Sequence, residues 1–169
     1  MFVEREQHNQ KKAQLIKVLL GLSGEHFLIV RGKTMRLVYL TDSFFARYGS
    51  CRELMEKSAR PYACLEVKID GHVFAIPFRH HIKHKYAFFT VGEAGLDYSK
   101  AVIIEHEEYI SPFPARIDTK ELNAIKGKEK LITNGMLKYY RLYLKAVRYP
   151  DNPHYSSIRK RSALQYFLD

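Results

Sequence analysis

An Asp-Gly dipeptide between two short apolar runs limits what this chain can become more than any other feature. Residues 63–69 (ACLEVKI) and 72–76 (HVFAI) flank Asp70-Gly71, and a two-residue loop of that composition suits the positive φ angles of a tight hairpin turn. The stretch therefore reads as a β-hairpin. Pro77 cannot donate a ladder hydrogen bond, so the second strand is expected to end there and release residues 78–85, FRHHIKHK. Six of those eight side chains can be cationic and none is acidic. Lysine and arginine alone would make a solvated basic loop. Three histidines among them add proton transfer near neutral pH to anion stabilisation, at a strand exit where sites are often built.

With 169 residues the chain suits one domain, which at this size removes about 68–70% of its unfolded surface on folding. A net charge of +10 and a pI near 9.6 make a polyanion the first partner to consider, either nucleic acid or an acidic membrane surface. Cys51 and Cys64 are too few for a disulfide framework and have no metal-ligand spacing, which fits a reducing cytoplasm. No apolar run approaches the ~20 residues of a membrane span. The nearest imitation of a signal peptide, residues 15–22, is interrupted by Lys17. A cytoplasmic location is expected.

Residues 1–12 are polar, residues 13–22 suit a short helix and residues 25–30 suit a strand. The apolar pattern restarts at Met35 with an alternating strand. Residues 1–34 are therefore read as a dispensable N-terminal extension and residues 35–169 as the domain. Thr41 or Asp42 can cap a helix carrying Phe44, Phe45 and Tyr48. Residues 87–90 read as a strand, 92–95 as a turn, 96–104 as one further strand and Tyr109-Ile110 as a short pairing piece. Thr119 can cap a helix containing Leu122 and Ile125. A long C-terminal helix is expected over 128–149, with Leu131, Met136, Tyr139, Tyr140, Tyr143, Leu144 and Val147 as its stripe. Lys138, Arg141 and Lys145 flank that stripe, as a solvated face or as the wall of a nucleic-acid groove. The fold class is α+β.

His80 and His84 have the i, i+4 spacing of a helical zinc pair. Their segment leaves a strand rather than forming a helix, no metalloprotease-type glutamate is nearby, and Arg79, Lys83 and Lys85 would repel a divalent cation. No metal or other cofactor is expected. Gly-rich phosphate loops, nucleophile elbows and paired carboxylates are also missing from the pattern. What the residues suit is metal-free cleavage of a phosphodiester. RNA cut through its own 2′-hydroxyl needs a base for that proton, an acid for the leaving 5′-oxygen and cations around the phosphorane. The alternative is a non-catalytic RNA-binding regulator, which would have the same composition.

Residues 60–62 (RPY), 71–78 (GHVFAIPF), Lys83-His84 and 95–100 (GLDYSK) resemble the toxins of type III toxin–antitoxin systems, the ToxN/AbiQ group, and most closely its TenpN branch. The resemblance covers roughly residues 35–147. It implies a small, strongly bent antiparallel β-barrel of the MazF/Kid kind with surrounding helices. The implied activity is that of a metal-independent endoribonuclease, a hydrolase that leaves 2′,3′-cyclic phosphate and 5′-hydroxyl ends. Its implied partner is a repetitive, pseudoknot-like RNA antitoxin, which the nuclease processes and which holds it inactive in a closed protein–RNA complex. Phage defence by abortive infection is the implied role. In the ToxN pattern the hairpin exit Pro-Leu-Thr-Ser-Pro-Lys supplies hydroxyls and a lysine. Here Arg79 and His80 stand where Thr and Ser do, Lys83 is displaced by one, and Arg60 matches a basic residue upstream. The candidate catalytic set is Arg60, Arg79, His80, His81, Lys83, Ser99 and Lys100, and the candidate RNA-binding set is Tyr62, His84, Lys85, Lys138, Arg141 and Lys145. His80 is placed ahead of His81, because neighbours on an extended segment face opposite sides.

Overall fold

The computed structural model describes residues 27–30, 33–54 and 63–168. Asp70 and Gly71 take φ values of 49° and 83°, the paired left-handed angles a two-residue hairpin turn requires. They join β3 (Ala63–Ile69) to β4 (His72–Arg79), which pair antiparallel from Ile69↔His72 to Cys64↔Pro77. β4 thus continues through Pro77 to Arg79, against the expectation that the proline ends it. The backbone geometry explains why. The Ile104 N–H donates to the Val73 carbonyl, so Val73, Ala75 and, by the two-residue alternation, Pro77 turn their backbone polar groups away from β3. On that side β4 pairs first with β7 (Val102–Ile103) at Phe74 and Ala75, then with β6 (Gly95–Asp97) at Phe78 and Arg79. Pro77 falls between the two ladders, where no N–H is needed.

The remaining strands are β1 (Phe27–Val30), β2 (Lys33–Tyr39) and β5 (Ala87–Phe89), giving the order β1-β2-β3-β4-β6-β5 with β7 also on β4. Every pairing is antiparallel. Among the described residues the sheet is open, with β1 and β5 at its two ends. The boundary expected at Met35 lies inside β2, which pairs with β1 from Phe27↔Arg36 to Val30↔Lys33. The single strand expected over 96–104 is split into β6, a 3-10 turn at Tyr98–Lys100, and β7. Asp97 causes the break, because its carboxylate accepts the Ser99 N–H at 2.9 Å and folds the backbone into a local turn.

Among the described residues five helices complete the α+β fold: α1 (Asp42–Tyr48), α2 (Thr119–Ile125), α3 (Glu129–Arg148), α4 (Pro153–Arg161) and α5 (Gln165–Leu168). Thr41 caps α1 by accepting the Phe44 N–H, as the sequence indicated, whereas Asp118 rather than Thr119 caps α2. One side of the sheet packs Leu65, Phe74, Ile76 and Leu96 against Ile132, Met136, Tyr140 and Tyr143 of α3. Val38, Cys64, Ala75 and Val102 pack on Phe44, Tyr48 and Tyr109 in a second cluster. Each large apolar side chain fully buried in this way contributes about 1.5–3 kcal/mol. Leu131 and Leu144, counted in the stripe of the long helix, are exposed, since at 3.6 residues per turn they lie well round from the centre of its buried face. Gly135 costs the middle of α3 about 1 kcal/mol in helix propensity. The Tyr98 ring fills the space where a side chain would stand, and the Tyr98 hydroxyl donates to the Ile132 carbonyl at 3.2 Å. Helix and 3-10 turn are locked together there.

Candidate active site

Strand register decides which side chains meet. Antiparallel partners share a face, so the row Phe78, Leu96 and Phe88 points into the core while Arg79, Gly95 and Phe89 point to the opposite side, with Asp97 and Ala87 beside them. On that outer face Arg79 donates from a terminal guanidinium nitrogen to Asp97 Oδ2 at 2.7 Å. Asp97 is completely buried and Arg79 is 35% exposed. The same carboxylate accepts the Ser99 hydroxyl at 2.6 Å on Oδ1, besides the Ser99 N–H.

His84 enters from the exit loop above. Its Nε2 lies 3.3 Å from Ser99 Oγ and 3.5 Å from Asp97 Oδ2. The Tyr86 N–H donates to His84 Nδ1 at 3.3 Å, which leaves Nδ1 as an acceptor and assigns the proton of the neutral ring to Nε2. His84 is therefore a donor towards the cluster. Ser99, His84 and Asp97 do not form a nucleophile–base–acid relay, in which the carboxylate would hold the other ring nitrogen and the serine proton would face the imidazole. Here serine and aspartate share one nitrogen, and the serine proton goes to the aspartate.

Lys100 is half-buried and donates to the Arg161 carbonyl at 3.2 Å. Desolvation holds its ammonium below the usual lysine range; Arg79 and Arg161 push the same way, and Asp97 and Glu53 oppose. The segment after α4 closes the floor, where the Ala163 N–H donates to the Ser99 carbonyl at 2.9 Å. Tyr86 packs against both His84 and Tyr139, at ring-centroid distances of 6.0 and 5.4 Å. Burial pushes the Tyr139 hydroxyl up to about 12, partly offset by its bond with Ser162. The only cysteine with a fully buried thiol among the described residues, Cys64, is pushed by burial up to about 12, which makes a thiolate nucleophile there inaccessible at neutral pH.

No protein-family model, curated protein or solved structure matches the chain. Its function has to be argued from this cluster.

Of the expected catalytic residues, the fold brings together Arg79, Ser99 and Lys100, and it adds His84, which the sequence reading assigned to RNA binding. His80 and His81 are both exposed, and no hydrogen bond ties either to Asp97. The alternation that ranked them does not apply, because His81 takes a φ of 57° and the chain is no longer extended. Lys83 points outward to Glu93, at 2.5 and 2.6 Å to its two oxygens. Lys85 lies over the Tyr86 ring, 5.7 Å from its centroid. Lys138, Arg141 and Lys145 are exposed on the side of α3 opposite its buried face. Arg60 and Tyr62 lie outside the described residues. His80 and His84 share no helical face, since residues 80–86 are irregular.

Asp97 is the residue that sequence reasoning passed over, together with Tyr86, Tyr139 and Arg161 around it. A signal for Asp97 existed. An aspartate at a strand end, two residues before a serine, makes a local turn that points the carboxylate back on itself. In a chain with such an excess of cations, a carboxylate so placed is a natural organiser.

Proposed function

We propose that this protein is a metal-independent endoribonuclease that cleaves RNA by attack of its own 2′-hydroxyl. The observation that carries the reading is the gathering of Arg79, His84, Ser99 and Lys100 around the fully buried carboxylate of Asp97. A phosphate at the mouth of this cluster meets a guanidinium, an imidazole N–H and a lysine whose proton is loosened by burial. Lys100 in its neutral form takes the 2′-hydroxyl proton, and the 2′-oxygen bonds to phosphorus. Arg79 and His84 Nε2–H donate to the phosphorane oxygens as charge develops. The P–O5′ bond breaks, and the leaving oxygen collects the proton from the Lys100 ammonium formed in the first step. The products are a 2′,3′-cyclic phosphate and a 5′-hydroxyl.

The reading extends to the role that the sequence resemblance implies, the toxin of a type III toxin–antitoxin system held inactive by a repetitive RNA antitoxin. The small bent barrel expected of such toxins belongs to it as well. The change of partner along β4 at Pro77 supports that curvature. Lys138, Arg141 and Lys145 on α3, with a chain charge of +10, suit the polyanionic antitoxin.

The test is incubation of the full chain with a long adenine-rich RNA in excess EDTA, followed by analysis of the new ends. Cleavage to cyclic-phosphate ends is expected. A non-catalytic RNA-binding regulator would protect the RNA without cutting it, and a metal-dependent nuclease would cut only when divalent cation is restored.

A further inference from the structure

The phosphate chemistry leaves one feature of the outer sheet face unused. Arg79, Gly95 and Phe89 stand in a single cross-strand row of β4, β6 and β5, so the two side chains at its ends rise from the same side of the sheet. Gly95, between them, is buried. Gly95 has no side chain, and the β5 backbone at Phe88 and Phe89 lies so close that any Cβ at Gly95 would collide with it. Ala87, in the adjacent row opposite Asp97, adds only a methyl. Phe89 and Arg79 therefore stand on one side of the sheet two strand spacings apart, roughly 10 Å.

Phe89 is 44% exposed, whereas Phe88 beside it packs on the core. Phenylalanine is among the residue types most often buried. The backbone that carries the ring is held in place. The turn after β5 is closed by the Thr90 N–H and hydroxyl on the Ala94 carbonyl, at 2.9 and 3.1 Å, and it is tied to the exit loop by the Ile82 N–H on the Glu93 carbonyl at 2.9 Å. A platform on an ordered backbone loses less conformational entropy when something packs on it.

We infer that Phe89 is a stacking platform for a nucleobase of single-stranded RNA whose neighbouring phosphate lies on Arg79, His84 and Lys100. The phosphate's place rests on the ribonuclease reading; the base contact does not. Cations along a backbone track beside an aromatic ring are the pairing by which single strands are held without reading sequence. An apolar protein segment docking on Phe89 would bring no counter-charge to a chain of net charge +10, in which the carboxylates beside Arg79 and Lys83 are already engaged. A single-stranded RNA satisfies ring and cations together.

The experiment uses the full-length chain and an adenine-rich 2′-O-methyl oligonucleotide, which cannot be cut through its 2′ position, carrying 2-aminopurine at successive positions. Wild type and Phe89→Trp are expected to bind it and to quench the probe at one position. Phe89→Ala is expected to bind about 5- to 150-fold more weakly, the range of one base–aromatic stack, and to lose that quench. Should Phe89→Ala melt early, Phe89→Leu keeps the apolar bulk without the ring and carries the same comparison. Equal affinity and equal quench in the ringless variant would overturn the inference, as would a wild type that does not bind the oligonucleotide. Cleavage of unmodified RNA in EDTA separates the two claims. A wild type that binds and quenches but does not cut leaves the platform standing without the nuclease. A ringless variant that binds and cuts like wild type removes the platform and leaves the nuclease.

Discussion

His81 and His84 sit three residues apart on one loop and differ in nearly every physical respect. His81 is 88% exposed, and its closest acidic neighbour, Glu93, is 4.0 Å away and half in solvent. His84 is 36% exposed, with one ring nitrogen fixed by the Tyr86 N–H and the other set against Ser99 and a fully buried Asp97. The first is an exposed side chain whose interactions solvent screens. The second has its tautomer and ring position determined, which is what a donor needs if it is to meet developing charge without reorganisation. Abundance of cations in a stretch of sequence thus says less about chemistry than the one buried carboxylate beneath it.

The sharpest way to break that contrast is to remove the organiser. Asp97→Ala strips the acceptor from Arg79, from the Ser99 N–H and hydroxyl, and from His84. Removing one partner of a buried pair typically costs about 3–5 kcal/mol; with Arg79 a third exposed we expect about 2–3 kcal/mol, read as a fall in Tm of about 5–10 °C. Cleavage should vanish with it. An unchanged Tm would mean that Asp97 organises nothing.

Lys100→Met tests the chemistry alone, because methionine keeps the stem and loses the amine. Loss of a general base should reduce single-turnover cleavage by about 10²–10⁴-fold. In wild type the rate should rise with pH and level off below the usual lysine range, since the neutral amine is the active form and burial lowers its pKa. Stability moves in the same direction. The unfolded lysine holds its proton to higher pH than the folded one, so stability rises with pH between the folded value and the ordinary lysine value. Lys100→Met should flatten that rise in pH-dependent urea melts. A rate profile shared by wild type and variant would transfer the base role elsewhere.

How much of this was legible follows from the range of the forces involved. Asp70-Gly71, the Thr41 cap and the buried tyrosines of α3 are local signals, and each was readable. Pro77 was misread as a strand end, because its tolerance depends on β6 and β7 arriving from later in the chain with a gap between them. Asp97 breaks near its start the run 96–104 that reads as one strand, and its role emerges only when Arg79, His84 and the segment around Arg161 close over it. Local alternation along the sequence ranks His80 ahead of His81 and leaves His84 to RNA binding. Burial, a non-local property, separates them.

The histidine comparison has its own test. His84→Ala removes a fixed donor, for which losses of about 10²–10³ in turnover are typical, while His80→Ala and His81→Ala should cleave like wild type. Single-turnover rates of the three variants decide it. Equal losses in all three would return the site to the loop as a whole.

The smallest effect expected is at the tie between Lys83 and Glu93. Both side chains are exposed, at 71% and 52%. The Lys83 hydrogen bond and then its charge hold the Glu93 carboxyl below the usual carboxylate range, with a lesser contribution from His81. A depressed folded value gives stability that is present above the ordinary carboxylate pKa and is lost as pH falls through the folded value. Glu93→Gln should therefore alter only the acid limb of the stability profile and leave the neutral Tm within error. Cleavage should also be unchanged, because what anchors the loop at this point is the backbone bond from Ile82 to the Glu93 carbonyl, which the substitution keeps. If Glu93→Gln instead slows cleavage as much as His84→Ala does, the surface pair holds His84 in place. The exposed and buried cations would then be one device rather than two.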